Sequence, residues 1–387
     1  MNFQVILFVI GYGMTFANFS YWKNFFPCGI NGVLAGASKC FFAYVGFDGL
    51  ATAGEEAKDP AKMIPRATFW SMGLAITCYV GMSGALSLMM PYYELPASAV
   101  YATVFIKLGA PDWISIVISI GCLIGILTSI TNGLYSLPRA IYAMAEDGLI
   151  FGWWAKVNPR TKTPINATIT ATILVAIIGM TFDIEALIDF LSIGTLLAYS
   201  MVNAALIILR YRPQPLKGDL EQMDQGGTIR PNIPILSKMF EHKKEAGNAI
   251  LFSIIMMVAG FSGVGVLINT TYYKTAIGTG LMVLSILVSI GSILFIDAHH
   301  QNSMELDYKV FAVPYVPAAS LLFNVLMMTQ LTILTWIRLA VWMAIGAAIY
   351  LGYGISHSKE EQLWKEARGA IKETKVKIFR KKYPALC

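Results

Sequence analysis

The sequence predicts an all-α fold, a multi-pass transmembrane helical bundle of about ten helices. Hydrophobic residues make up 56% of the 387 residues and charged residues only 13%, whereas about a quarter of an average soluble domain is charged. Apolar segments long enough to cross about 30 Å of hydrocarbon recur along the chain. Their apolar residues cover all sides of each segment, which disfavours a soluble bundle, and none shows the alternation of a membrane β-strand.

Ten segments are candidate membrane spans. They cover residues 3–17, 31–54, 66–90, 112–137, 164–182, 186–209, 248–268, 277–296, 309–330 and 332–354. The first is short for a span, and it lacks the basic start and the small-residue cleavage site of a secretory signal. We therefore interpret it as the later part of a helix.

The span at 31–54 contains the feature around which the rest of the chain is organised. Gly46 and Gly49 flank Phe47 and Asp48 at its centre, where a continuous membrane helix should have neither weak helix formers nor a carboxylate. This pattern predicts a helix that is interrupted at mid-depth. Such an interruption leaves backbone carbonyls and amides unpaired in hydrocarbon, and a small polar solute could satisfy them, as at a transport site.

The basic residues predict the orientation of the chain. If both termini are cytoplasmic, the inner loops and the tail hold 24 of the 29 Lys and Arg residues, an asymmetry typical of cytoplasmic segments. The sequons at Asn18 and Asn269 then fall in outer loops, where glycosylation is expected. A third sequon, at Asn166, falls inside and should stay unmodified.

The segments after the interruption carry helix signals and one polar cluster. Pro65 is expected at the start of the next helix, and a short interfacial helix is expected around 97–107. Pro138 is expected to open a separate cytoplasmic helix that Gly148 terminates. The centre of the span at 112–137 carries hydroxyl and amide side chains, for which two interpretations stand equal. Either they bond within their own helix and serve packing, or they line a pathway. They are Thr128, Ser129, Thr131 and Asn132.

Two polar regions accompany the last group of spans. The segment 210–247 is polar with a glycine-rich middle, which predicts a mobile cytoplasmic loop. The segment 356–387 is a basic cytoplasmic tail with a helix-like pattern. A solvated end is favoured over contact with anionic lipid. That contact would use Lys377, Arg380, Lys381 and Lys382.

No constellation of residues indicates an enzyme, a metal site or a cofactor. The sequence contains no phosphate-binding glycine loop, no HExxH, no GxSxG and no CxxC pair. His299 and His300 are expected in a solvated loop, and the five cysteines are scattered without a disulfide or metal pattern. The net charge of +6 lies mostly on the predicted cytoplasmic side, so it does not indicate nucleic-acid binding.

Several motifs resemble one family of membrane proteins. The stretches CFFAYVGFDGLATAGEEAKDPAKMIP, SLPRAIYAMAEDGLIF, KTPINATITA and FLSIGTLLAYSMVNAALIILRYRP are similar to those of the cationic amino acid transporters, in the amino acid/polyamine/organocation (APC) superfamily. The stretch VFAVPYVPAASLLFNVLMMTQLTILTWIRLAVWMAIGAAIYLGYG resembles the last two helices of that family. Its members have about fourteen helices, of which the first ten form two inverted five-helix repeats.

The resemblance implies how the chain divides. Residues 1–209 would form a partial transporter core, from the end of helix 5 through helix 10, and residues 31–56 would be the broken sixth helix. Residues 248–355 would form a C-terminal four-helix region, joined by the cytoplasmic loop 210–247 and followed by the tail at 356–387. The first four helices, which include the other broken helix, would be missing. We therefore expect an N-terminally truncated chain.

The resemblance also implies a substrate site. It assigns the carbonyls of Phe42 and Ala43 to the substrate α-amino group, Gly46 to the unwound turn and Phe47 to an aromatic gate. Leu50 would line the side-chain pocket, and three residues of the span at 112–137 would lie nearest the pathway. These three are Thr128, Ser129 and Asn132. From the residues alone, Phe42 and Phe47 could instead be core aromatics, although their place beside a glycine break favours the gate.

Charged residues near the break have several possible roles. Asp48 could meet a cationic group directly, but a cap on the second half-helix is favoured. Glu55 and Glu56 resemble a cytoplasmic gate or an ion pair with Arg139 or Lys58. In this family a small residue usually stands where this chain has lysine, at position 39. The Lys39 side chain either snorkels to the outer surface, which is favoured, or repels cationic substrates from the pathway.

Three hypotheses of function follow. The first is a plasma-membrane carrier for amino acids, above all arginine, lysine and ornithine, that works by alternating access around the broken helix. A neutral amino acid permease is a variant of this hypothesis. The second is a non-transporting relative that acts as a membrane interaction or regulatory protein, and the third, an enzyme, has no supporting motif. The partners implied are an amino acid and membrane lipid, with no nucleic acid, and the sequence leaves the oligomeric state open.

Overall fold

The structure is a computed structural model in which the chain divides into two compact units. It describes residues 2–47, 49, 57–96, 99–213, 215–216, 219–223, 226–230, 246–303, 308–359 and 361–362. The first unit comprises Met1–Asn18, Val80–Asp183 and Ala340–Cys387. The second comprises Phe19–Tyr79 and Ile184–Leu339.

Eleven α-helices dominate the described part of the chain. They are α1 (Asn2–Gly13), α2 (Gly29–Cys40), α3 (Pro60–Met89), α4 (Val100–Lys107), α5 (Asp112–Glu146), α6 (Ile165–Thr181), α7 (Ile184–Tyr211), α8 (Ala246–Asn269), α9 (Ala276–Asp297), α10 (Tyr315–Thr329) and α11 (Ile333–Ile349). A π-helical turn (Tyr350–Gly354) and a last α-helical turn (Ile355–His357) continue α11. A short antiparallel pair, β1 (Pro215–Leu216) and β2 (Asp219–Met223), follows α7.

The helices confirm the predicted membrane fold. Each of the ten predicted spans contains a described helix, and α4 confirms the short helix expected around 97–107. Within the described ranges, six helices are long and apolar enough to cross a bilayer: α3, α5, α7, α8, α9 and α11 with its continuation to His357. Three shorter helices, α1, α6 and α10, are also apolar. The chain is therefore a multi-pass integral membrane protein.

Two helix boundaries predicted from proline are wrong. Helix α3 begins at Pro60, so Pro65 lies inside it rather than at its start. Helix α5 runs without a stop from Asp112 to Glu146, so Pro138 does not open a separate helix. A proline removes one backbone donor from a helix, but in membrane helices neighbouring helices, hydroxyl side chains and small adjustments of the backbone can satisfy the freed carbonyl. Helix continuation therefore wins over the local proline signal in both places.

Gly148 terminates α5 as predicted. Its φ of +76° lies in the left-handed region, where glycine avoids the penalty of a Cβ atom. The Leu149 N–H donates to the Met144 carbonyl at 3.0 Å, and the Gly148 N–H donates to the Ala145 carbonyl at 3.1 Å. These two bonds form a Schellman motif.

The C-terminal segment after α11 is attached to the end of α5 within the first unit. A Cβ atom on Gly148 would overlap the carbonyl oxygen of His357. The Lys359 N–H donates to the Asp147 carbonyl at 3.0 Å, and its Nζ lies 3.6 Å from Glu146 Oε1 and 3.5 Å from Asp147 Oδ1. These exposed ion pairs add little stability, so the backbone contacts are the main attachment.

The core of the first unit forms where α1, α3, α4 and α5 meet. Its buried residues are Val9, Met89, Met90, Val104, Phe105, Ala110, Ile114 and Ile118. Glycines bring the helices close: a Cβ on Gly81 of α3 would lie 2.9 Å from Ile10 Cδ1, and one on Gly121 of α5 would lie 2.9 Å from Val5 Cγ1. Small residues that permit such close approach are a common device of membrane helix packing.

The core of the second unit forms between α7, α8, α9 and α10. Its buried residues are Ile207, Tyr211, Ile250, Ile254, Met257, Phe261, Ile296, Val313, Ala318, Leu321 and Val325. A polar bond crosses between two of these helices, since Asn203 Nδ2 of α7 donates to Ser320 Oγ of α10 at 3.0 Å. The unit therefore combines apolar packing with a hydrogen bond between helices.

Part of the loop predicted to be mobile is built into the second unit. Gly226 and Gly227 are buried, and the Gly227 N–H donates to the His300 carbonyl at 2.8 Å. The Arg230 N–H donates to the Ala298 carbonyl at 2.9 Å. The prediction of a mobile loop is therefore wrong for residues 226–230, because backbone pairing with the segment after α9 fixes them.

His299 is buried, which corrects the prediction of a solvated loop. Its backbone pairs across from Ile229, and its Nδ1 lies 2.8 Å from the Phe295 carbonyl oxygen. Burial lowers the pKa of His299, because removal from water disfavours the charged imidazolium. The carbonyl contact with Phe295 opposes this shift only in part.

The lowered pKa predicts a pH-dependent stability. The unfolded chain takes up a proton at His299 near the ordinary pKa of about 6.5, whereas the folded chain takes it up only at lower pH. The stabilisation is therefore complete above pH of about 6.5 and is lost as the pH falls through the folded pKa. The unfolding temperature in detergent should fall between pH 7.5 and pH 5.5, and it should fall by more in the wild type than in His299→Gln. Equal slopes would contradict the prediction, because the other histidines are common to both proteins.

Candidate functional site

The interruption predicted in the span at 31–54 is confirmed, and it begins earlier than expected. Regular α-helix ends at Cys40, residues Phe41–Tyr44 form a tighter 3₁₀ turn, and Val45 is extended with φ −71° and ψ 136°. The Val45 N–H donates to the Phe42 carbonyl at 3.1 Å. A 3₁₀ turn of this kind is common at helix ends, and it separates α2 from the glycines that the sequence pointed to.

Gly46 is required by the backbone at this point. Its φ is +123°, a conformation that residues with a side chain rarely adopt. A Cβ atom built on Gly46 would meet nothing within 4 Å. The glycine is therefore needed for its conformational freedom and not for space, as the prediction of an unwound turn requires.

Tyr79 of α3 contacts the 3₁₀ turn. Its hydroxyl donates to the Ala43 carbonyl at 3.0 Å, and its ring meets the Tyr44 ring edge to face, with centroids 5.3 Å apart. The role of Tyr79 could not be predicted from the sequence. Tyr79 lies 36 positions from Ala43, and no local signal distinguishes it among 18 tyrosines.

Tyr199 of α7 contacts residues on both sides of the interruption. Its ring centroid lies 5.9 Å from that of Phe41, which precedes Val45, and 5.4 Å from that of Phe47, which follows it. Aromatic pairs at these separations attract one another. Phe47, the predicted gate, therefore packs against Tyr199, which the sequence analysis also missed.

A small apolar core supports this part of the second unit. Phe41 packs against it, as do Phe190 and Leu339. Its buried residues are Ile193, Leu196, Met328 and Leu331, from α7 and the end of α10. The interruption is thus held against packed helices on one side, while Gly46 is exposed.

The two predicted acceptor carbonyls each have one hydrogen bond already. Phe42 accepts from Val45, and Ala43 accepts from Tyr79. Because a carbonyl oxygen has two lone pairs, one further donor can approach each. The contacts to a substrate that the family resemblance implies for Phe42, Ala43, Gly46 and Phe47 stay a prediction.

The remaining predicted substrate residues lie on α5, in the first unit. Thr128, Ser129 and Asn132 are all exposed. Thr128 Oγ1 donates to the Ile124 carbonyl at 2.8 Å, one turn back along the helix. This bond fits the packing interpretation for Thr128, and a role of the three residues in a pathway stays a prediction.

The predicted gating residues are described only in part. Asp48, Glu55 and Glu56, together with the pocket residue Leu50, lie outside the described residues. Arg139 of α5 has its guanidinium carbon 3.8 Å from the centroid of the Tyr135 ring, a cation–π contact. Its pairing with the glutamates therefore stays a prediction.

Lys39 occupies the last turn of α2. A cation is favoured at this end of a helix, where the backbone carbonyls carry partial negative charge. This placement does not separate the two interpretations of Lys39, snorkelling to the outer surface and a position facing the pathway, so both stay predictions. Whether it affects the charge of the substrate stays a prediction.

The two predicted glycosylation sites lie at the ends of helical segments. Asn18 follows the 3₁₀ turn Met14–Phe16, and its backbone N–H donates to the Leu88 carbonyl at 2.9 Å. Asn269 ends α8, and its Nδ2 donates to the Thr329 carbonyl at 2.6 Å. Since a glycan attaches at Nδ2, modification of Asn269 requires this bond to break.

Comparison with known proteins decides the family. The family model of the amino acid permeases matches residues 2–287, and the model of the C-terminus of these permeases matches residues 308–358. The chain belongs to the amino acid permease family. The permease fold is all-α, as the described helices are, and the motif resemblance to cationic amino acid transporters is confirmed.

Similar permeases from animals and plants align with this sequence over most of its length. Cationic amino acid transporter 4 of Mus musculus is 34% identical over 393 residues, which cover 92% of this chain and 61% of the relative. Cationic amino acid transporter 4 of Homo sapiens is 33% identical, with 94% and 62% covered. Cationic amino acid transporter 3, mitochondrial, of Arabidopsis thaliana is 29% identical, with 92% and 64% covered. The chain thus spans less than two thirds of the length of these relatives.

Proposed function

We propose that this chain carries an amino acid across a membrane by alternating access around the interruption after α2. The observation that carries the proposal is the change at Cys40–Gly46 from α-helix to a 3₁₀ turn and then to extended backbone, inside a predicted membrane span. Irregular backbone at membrane depth persists where it is buried in protein or lines a wet cavity. A zwitterion is a solute that can use such backbone groups.

The polarity of the helix end favours one orientation of the substrate. The carbonyls at the C-terminal end of α2 and its 3₁₀ turn carry partial negative charge, which attracts an ammonium group. Ala43 and Phe42 would therefore face the α-amino group, with Phe47 covering it. Leu50 would line the pocket for the substrate side chain.

The substrate that we propose is a cationic amino acid: arginine, lysine or ornithine. The names of the similar permeases support this choice, since they are called cationic amino acid transporters. A neutral amino acid is the alternative, because Lys39 stands in the last turn before the 3₁₀ turn. The membrane that we propose is the plasma membrane, although two similar permeases are named vacuolar and another mitochondrial.

Uptake by purified protein in liposomes tests the function. Tritiated arginine and leucine are offered separately, with empty liposomes as the blank and the mouse relative as the positive control. Saturable arginine uptake supports the proposal, and saturable uptake of leucine alone supports the neutral alternative. If the control transports and this chain takes up neither, the proposed activity is refuted.

A second candidate function is a non-transporting membrane protein that interacts with or regulates others. Uptake separates the two candidates, because only a carrier gives a saturable signal. No enzymatic activity is proposed.

The orientation that we propose has both termini in the cytoplasm. The distribution of Lys and Arg supports it, and it places Asn18 and Asn269 outside. We expect a glycan at Asn18 that disappears in Asn18→Gln, and a glycan at Asn269 only where the hydrogen bond from its amide to Thr329 is broken. A glycan at Asn166 would overturn the orientation.

A further inference from the structure

We propose that Tyr79 is a positioning residue that holds the Ala43 carbonyl in the direction needed to receive the ammonium group of the substrate. The inference rests on the proposed function, and it adds a residue of α3 to a site otherwise built from the interrupted helix. Tyr79 itself does not contact the substrate in this proposal. It acts through the carbonyl oxygen to which its hydroxyl donates at 3.0 Å.

The Ala43 carbonyl lies where the backbone changes direction. It belongs to the 3₁₀ turn, and the next residue but one, Val45, is already extended. The Val45 N–H donates to the Phe42 carbonyl. Among the described residues, the hydrogen bond given to the Ala43 oxygen comes from Tyr79. Carbonyls within a regular helix are oriented by the following turn, whereas this one is oriented by a side chain from another helix.

The Tyr79 ring is itself held in place. The Tyr44 ring meets it edge to face, at 5.3 Å between centroids, and this arrangement restricts the rotation of both rings. Tyr44 is the neighbour of Ala43 in the chain. One ring contact and one hydrogen bond therefore attach Tyr79 to consecutive residues of the 3₁₀ turn.

The bond leaves room for a ligand on the same oxygen. A carbonyl accepts two hydrogen bonds, and Tyr79 uses one of the lone pairs. The other can accept from an ammonium group, which has three donors. If the Tyr79 hydroxyl positions the carbonyl, removing it should weaken binding of the ligand. If the hydroxyl instead competed with the ligand for the same lone pair, removing it should tighten binding.

Tyr79→Phe removes the hydroxyl and keeps the ring against Tyr44. We expect the Kd of tritiated arginine or leucine, whichever the wild type binds, to rise about three- to tenfold in a scintillation proximity assay on detergent-solubilised protein, the effect of about one hydrogen bond. Tyr92→Phe is the matched control, because it removes the same group from an exposed turn. An unchanged or lowered Kd in Tyr79→Phe would overturn the proposal.

An analogue without the α-amino group separates positioning from general loosening. The competitors are 5-guanidinopentanoate for arginine and 4-methylpentanoate for leucine. Equal inhibition constants in the wild type and Tyr79→Phe, or no competition in either, would support a role specific to the ammonium group. A rise by the same factor as for the amino acid would overturn it.

The test is independent of transport. A wild type that binds an amino acid but shows no uptake refutes the proposed carrier and still allows the role of Tyr79 to be measured. A wild type that binds neither amino acid overturns the role of Tyr79 as well. Unfolding temperatures of the ligand-free proteins show that both variants are folded.

Discussion

Gly46→Leu is expected to abolish saturable uptake while the protein still inserts into the membrane. At φ +123°, a residue with a side chain is strained by about 1–3 kcal/mol. The chain can avoid the strain only by changing the backbone between Val45 and Phe47. That change would move the Ala43 carbonyl and the Phe47 ring, on which the proposed site depends.

The matched control is Gly36→Leu in α2, the helix that precedes the interruption. A Cβ on either glycine meets nothing within 4 Å, so neither leucine creates a clash at its Cβ. Gly36 lies within the regular part of α2, where leucine is a better helix former than glycine. Uptake in liposomes, normalised to inserted protein, should survive in Gly36→Leu alone. Wild-type uptake in Gly46→Leu would remove the interruption from the mechanism.

The sequence predicted that the helix is interrupted but not where regular helix ends. Two glycines beside a carboxylate in an apolar span are a local signal, and they indicated residues 46–49. The end at Cys40 depends on the 3₁₀ turn Phe41–Tyr44. That turn is fixed by Tyr79 and Tyr199 from distant helices, so no pattern within the span reveals it.

The membrane spans could be predicted because hydropathy alone decides them. A segment that is apolar on all sides is favoured in lipid whatever its neighbours are. The proline signals at Pro65 and Pro138 failed because they describe what a proline costs, not whether the rest of the helix outweighs that cost. The prediction of a solvated His299 was wrong for a related reason. Its burial comes from pairing with Ile229, in a loop that the sequence predicted to be mobile.

Contacts between distant helices set the limit of prediction for the site. Asp48 stood out because a charge in an apolar span is rare, and Glu55 and Glu56 stood out through the resemblance to the transporter family. Tyr199 did not, because an aromatic residue in a membrane helix is ordinary. Its significance comes from the two rings that it contacts, Phe41 and Phe47, which the chain places on either side of the extended residue Val45.

Gly260→Val is expected to destabilise the second unit by overpacking two helices. A Cβ on Gly260 of α8 would overlap Ser289 Oγ of α9 and lie 2.8 Å from the Ser285 carbonyl oxygen. The second contact is with backbone, which cannot rotate away. Helices α8 and α9 must therefore separate, and overpacking of this kind costs typically about 1–3 kcal/mol.

Gly291→Val of α9 is the control, because its Cβ would meet nothing within 4 Å. Both substitutions remove a glycine from a helix, so the intrinsic change in helix propensity is the same. The unfolding temperature in detergent should fall by about 3–8 °C in Gly260→Val. In Gly291→Val it should stay near the wild-type value. Replacing Ser289 by glycine in the Gly260→Val background should restore only part of the loss, because the Ser285 carbonyl remains. Equal unfolding temperatures of Gly260→Val and Gly291→Val would contradict the prediction. They would show that α8 and α9 do not pack closely at Gly260, Ser285 and Ser289.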